Sequence, residues 1–130
     1  MKGATMANSA GYHESEDRLR DETKNNHRAL TSMQEELEAA DWYDQRVDAA
    51  TDPELKQILA HNRDEEKEHF VMLLEWYRRR DAKMSSELKD RLFTTGSIVA
   101  QEQAGKADGG EADAGESSLG IGSLKGGQGL

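Results

Sequence analysis

Two residues three apart, Glu66 and His69, carry the densest chemistry in this chain. They lie within Glu65-Glu66-Lys67-Glu68-His69, in the middle of a long predicted helix. Side chains three apart on a helix leave from one face, so this carboxylate and imidazole can grip one metal ion. A second acidic run, Glu35-Glu36-Leu37-Glu38, sits on the preceding predicted helix. Within it Glu36 lies three beyond Met33 and four before Ala40, and shares the apolar face those residues define. Glu35 and Glu38 flank that face and point elsewhere. Glu36, Glu66 and His69 are therefore the candidate ligands. Glu35 and Glu38, an i, i+3 pair, form a candidate second and weaker cation site.

Carboxylate-rich ligation with one imidazole suits iron or manganese and, less well, zinc. The chain has no cysteine, which removes disulfides and thiolate-bound zinc from consideration. His61, Glu65 and Glu68 are either an additional surface cation site, open to calcium or zinc, or ordinary exposed charges. Trp42, Tyr43, Trp76 and Tyr77 read as interface packing. Trp42 and Tyr43 fall about two turns from Glu36, close enough to abut the metal pocket. His27 reads as a seam or surface residue.

Two long helices must position these groups. The first is expected from about Ser15 to Ala49, where Leu30, Met33, Leu37, Ala40 and Val47 recur at helical spacing. Thr51-Asp52-Pro53-Glu54 marks a boundary, with Pro53 in a first helical turn and Thr51 or Asp52 as N-cap. Such a short loop joins antiparallel neighbours. The second helix is expected from about Pro53 to Lys83. Its seam reads Leu55, Leu59, Asn62, Glu66, His69, Leu73, Trp76, in alternating steps of four and three. Polar residues at the centre of such a seam are costly to bury without partners. A short third helix is expected from Ser86 to Phe93, capped by Ser85.

The fold class is all-α: an antiparallel two-helix hairpin with a short C-terminal helix, dimerising into a four-helix bundle. Four expected segments follow: a flexible arm over residues 1–14, a helical domain over 15–95, a flexible linker over 96–117 and a peptide tail over 118–130. Of the 12 glycines, nine lie from Gly105 onward, which separates the tail from the helical body. In that tail Leu119, Ile121 and Leu124 return among glycines. Leu119 and Ile121 share one face of an extended segment, as in a tethered recognition peptide.

A body of roughly 80 residues buries little surface alone and needs a metal or a partner chain. Carboxylate bundles with two metals draw one Glu from each of two helices and Glu-x-x-His from each of two more. This chain supplies one of each, so a complete centre takes two copies, with the site on a two-fold axis. The net charge of -9 disfavours nucleic acid as a partner. No run of 18 apolar residues spans a membrane. The opening stretch lacks the apolar core of a signal peptide, and the reading is a cytoplasmic protein.

Taken together, Met33 to Asp48, Thr51 to Leu55, Ile58 to His69 and the tail Leu119 to Gly126 resemble the encapsulated ferritins. The resemblance covers about residues 15–126. It implies a ferritin-like two-helix subunit that dimerises around a di-iron ferroxidase centre. Its ligands would be Glu36, Glu66 and His69 from both chains, with Glu35 and Glu38 as an uptake site for incoming cations. It further implies a decameric ring of five dimers. That ring would oxidise Fe(II) to Fe(III) with oxygen for storage inside an encapsulin nanocompartment, docked by Leu119–Gly126. The arm over 1–12 and residues 127–130 lie outside the resemblance. The alternative reading is a non-catalytic, metal-stapled helical cargo or adaptor protein.

Overall fold

The computed structural model describes residues 11–106. Most of the expected arm, residues 107–117 of the expected linker and the tail peptide Leu119–Gly126 lie outside the described residues. Within them the chain is helical with no strand. A single 3-10 turn, Glu16–Arg18, is followed by α1 (Asp21–Ala49), α2 (Pro53–Arg78) and α3 (Ala82–Arg91). Residues 98–106 are helical as well. The chain divides after Trp76 into two compact units. The first holds α1 and most of α2.

The long α1 starts at Asp21, later than the expected Ser15. Leu19 and Arg20 are extended, and no side chain caps the helix. Asp21 and Glu22 in its first turn instead meet the positive end of the helix dipole. At the hairpin turn Asp52, not Thr51, is the cap, because its Oδ2 accepts from the Leu55 N–H at 2.8 Å. Two cross-helix contacts set the direction of the pair. Asp44 Oδ1 on α1 meets Arg63 Nη1 on α2 at 2.9 Å. Glu36 meets His69 at 3.5 Å. Moving back along α1 moves forward along α2, so the helices are antiparallel.

This hairpin has very little core of its own. Among the described residues only Ala29 and Met33, both on α1, are buried. The α2 seam from Leu59 to Trp76 is half-buried, while Leu37 and Ile58 each stay 52% exposed and Trp42 49%. Single exposed apolar residues are ordinary. A hairpin that leaves much of both apolar stripes uncovered is not a finished packing unit.

In the second unit the expected boundaries shift. α2 ends at Arg78 rather than Lys83, in a turn where Arg80 N–H donates to Tyr77 O at 3.0 Å. The third helix begins at Ala82, not Ser86, and Asp81 replaces Ser85 as its cap. The Asp81 Oδ1 accepts from the Met84 N–H at 2.7 Å. Ser85 lies one turn inside the helix, and its Oγ accepts from Arg78 Nη1 at 3.0 Å. Past α3, Phe93 takes a left-handed conformation, φ 59°, and Gly96 another, φ 90°. Residues 98–106, within the stretch expected as a linker, form a helix. Ser97 Oγ caps it through the Ala100 N–H at 3.1 Å, and Glu102 pairs with Lys106 at 2.8 Å. Removing the cap in Asp81→Ala should lower the unfolding free energy by about 1 kcal/mol. Urea denaturation checks this, and Ser85→Ala should cost less if Asp81 is the cap.

Candidate metal centre

The hairpin register brings Glu36 of α1 opposite Glu66 and His69 of α2. One potential ligand atom from each of the three lies within 4.8 Å of the others, the one such group among the described residues. His69 Nδ1 is 3.4 Å from Glu66 Oε1 and 3.5 Å from Glu36 Oε1. A single cation spans donors so spaced with bonds of about 2.0–2.2 Å. The two carboxylates are largely covered, with side chains 24% and 21% exposed, whereas His69 is 44% exposed. The centre therefore sits at the edge of the helix pair, open on the imidazole side.

Electrostatics shows that these groups strain against one another. The hydrogen bond shared with Glu66 is the main force raising the Glu36 pKa above the ordinary glutamate range. Burial and the Glu66 charge push the same way, and His69 opposes them only in part. For His69, desolvation works against the charged ring. The hydrogen bond to Glu66, the Glu36 charge and the hydrogen bond to Glu36 outweigh it, and its pKa is raised. The consequences for stability share one sign. A carboxylate raised above its unfolded value weakens the fold as pH climbs between the two values. A histidine raised by its partners lends stability below its unfolded value and loses it as pH rises through the folded one. Toward neutral and alkaline pH the crowded carboxylates and the deprotonated imidazole thus weaken the fold.

The remaining expected residues lie around this group rather than in it. Glu35 and Glu38 are exposed and outside the three-residue cluster. Trp42 is half-exposed, and Tyr43 is half-buried with the Arg46 guanidinium over its ring at 5.4 Å. His27 belongs elsewhere on α1, its ring 4.9 Å from that of Tyr12. His61 and Glu65 do meet, at 3.5 Å, while Glu68 is exposed.

Two features escaped sequence reasoning. Arg63 is held between Asp64 at 3.0 Å and Asp44 at 2.9 Å, fastening α2 to α1 about one turn before Glu66. Only the register of the hairpin could have disclosed the Asp44 contact. Glu65 also reaches His69, with Oε1 at 3.7 Å from Nε2. The i, i+4 spacing was there to be read, but Glu65 had been paired only with His61 and Glu68.

A carbon-detected NMR titration of the metal-free protein should place the Glu36 carboxyl above the ordinary glutamate value of about 4.3. Glu66→Gln should bring it down. A midpoint at or below the ordinary value in the unsubstituted protein contradicts the shared-proton geometry.

Comparison with known proteins agrees with this architecture. The profile of the EncFtn-like family matches residues 11–95, which include both long helices, α3 and all three clustered residues. The encapsulated ferritin-like protein of Rhodospirillum rubrum is 57% identical over 122 residues, covering 88% of this chain and 87% of its own length. The ferritin-like protein of Thermotoga maritima is 45% identical over 92 residues, 71% of this chain and 81% of its own. The crystal structure of protein ne0167 from Nitrosomonas europaea superposes with a TM-score of 0.66 at 61% identity, covering 68% of this chain and 97% of that one. A helical hairpin, a carboxylate–imidazole cluster across it and a profile match over both lead to one assignment: this chain belongs to the EncFtn-like, encapsulated ferritin-like family.

Proposed function

We propose that this protein is a ferroxidase, oxidising Fe(II) to Fe(III) with oxygen at a di-iron centre formed between two copies of the chain. The observation that carries the reading is the convergence of Glu36, Glu66 and His69 from two antiparallel helices at the edge of a hairpin. That set is half of the donor inventory of a helical-bundle carboxylate centre. The exposed seam residues Leu30, Leu37 and Leu55 support the second half being a second hairpin. Two such hairpins, face to face, would build a four-helix bundle and supply four glutamates and two histidines to two irons.

In this reading iron is the substrate. Each Fe(II) gives one electron to oxygen, and the protein contributes position and charge. The carboxylates of Glu36 and Glu66 bind Fe(III), the harder cation, more strongly than Fe(II), and so favour oxidation. The Nδ1 of His69 supplies the one nitrogen donor. Glu35 and Glu38, exposed beside the centre on α1, are suited to collecting cations on their way in, with calcium or zinc as competitors there.

The wider setting follows the family. Five dimers closing into a decameric ring, and the segment Leu119–Gly126 docking the ring onto an encapsulin shell within the cytoplasm, complete the proposal. The name of the Rhodospirillum rubrum relative, an encapsulated protein, supports the shell as partner. Among the described residues no helix is long and apolar enough to cross a membrane.

The double variant Glu66→Ala/His69→Ala should slow Fe(II) oxidation by at least ~100-fold, given that partners one shell further out already cost ~10–100-fold at metal sites. Stopped-flow absorbance of Fe(III) together with oxygen consumption measures it. An undiminished rate would reject the centre. Iron bound by the unsubstituted protein without oxygen uptake would favour the non-catalytic staple.

A further inference from the structure

His69 has two ring nitrogens, and the three-residue cluster uses one. Nδ1 faces Glu36 and Glu66 at 3.5 and 3.4 Å. Nε2 turns the other way and meets Glu65 Oε1 at 3.7 Å. The second oxygen of Glu65 lies 3.5 Å from Nε2 of His61. One carboxylate is thus suspended between two imidazoles along the face of α2, at successive i, i+4 steps. Its oxygens stand outside the three-donor group.

A neutral imidazole carries its proton on one nitrogen or the other. A proton on Nδ1 of His69 would occupy the lone pair that a cation needs, and the two carboxylates beside Nδ1 would attract that proton in the metal-free protein. An acceptor on Nε2 pulls the proton the other way. Metal-binding histidines commonly have such a partner, and it fixes both the tautomer and the ring plane.

We propose that Glu65 is the positioning residue of the centre: its carboxylate accepts the Nε2–H of His69 and leaves Nδ1 free to bind the cation. This rests on the metal-centre reading given above. The contact is longer than a hydrogen bond, and such contacts around metal-free sites tighten on binding. Both side chains are 44% exposed and have room to close it by rotation. His61 lies 3.5 Å from the far oxygen of Glu65, on the side away from His69. Glu65 is thereby distinguished from Glu68 and from the flanking acids of α1, which are exposed.

The test uses the full chain and two readouts. Ring-nitrogen NMR of the metal-free protein at about pH 9 reports the tautomer of neutral His69 directly. The Nε2–H population should be larger in the unsubstituted protein than in Glu65→Ala, and Glu65→Gln, whose amide oxygen still accepts, should keep most of it. Cobalt(II) titration followed by visible absorbance should show a loss of ~10–100-fold in affinity for Glu65→Ala and recovery of most of it in Glu65→Gln. A general loss of fold would not be rescued by glutamine in this way. An unchanged tautomer or unchanged cobalt affinity in Glu65→Ala overturns the role of Glu65. His69→Ala separates the two readings. If it abolishes cobalt binding while Glu65→Ala does not, Glu65 alone is misassigned. If cobalt binding survives His69→Ala, the metal centre itself falls, and the positioning role with it.

Discussion

Two carboxylates and an imidazole crowded into one corner of a helix pair must repel one another or share protons. That mutual constraint organises most of what is distinctive about this chain. The hydrogen bond with Glu66, helped by partial withdrawal from water, raises the Glu36 pKa. In a solvated helix face the same residues would spread apart and keep ordinary acidities. Here the Arg63 clamp between Asp44 and Asp64 ties α2 to α1 just before the cluster and holds the register that brings them together. The hairpin thus keeps three groups in an arrangement that costs stability as pH rises.

The same residues account for the thin core. A seam that gives central positions to Asn62, Glu66 and His69 cannot also fill them with leucine. With only Ala29 and Met33 buried, the hydrophobic term from a single hairpin is small, and the exposed Leu37, Trp42 and Ile58 add little until something covers them. A second hairpin laid over the exposed seam residues Leu30, Leu37 and Leu55 would complete the donor set in the same step. Assembly and metal binding are, on this account, one event seen from two sides.

Much of this was legible before any coordinates. The heptad-like steps from Leu55 to Trp76 disclosed a seam, and Pro53 marked the hairpin turn. The spacing of Glu66 and His69, together with the phase of Glu36 against Met33 and Ala40, picked out the three residues that converge. Those readings rest on helical periodicity, which is a strong local signal. What stayed hidden depends on which of several adequate polar side chains wins a contact. Asp81 caps α3 where Ser85 was expected, because no proline or glycine marks the break after Arg78. Ser97 starts a helix within a stretch whose later glycines suggested a linker. The Asp44–Arg63 tie needed the register of two helices. The contact from Glu65 to His69 needed to be weighed against the equally spaced pair with His61.

The central claim is that two hairpins jointly hold a pair of irons that neither holds alone. Native mass spectrometry of the purified chain, with and without Fe(II) under anaerobic conditions, tests it most directly. The account predicts that species containing even numbers of chains gain prominence with iron and carry two irons for every two chains. A single chain bearing the full pair, or a stable dimer that takes up no iron in ferrous solution, would contradict it.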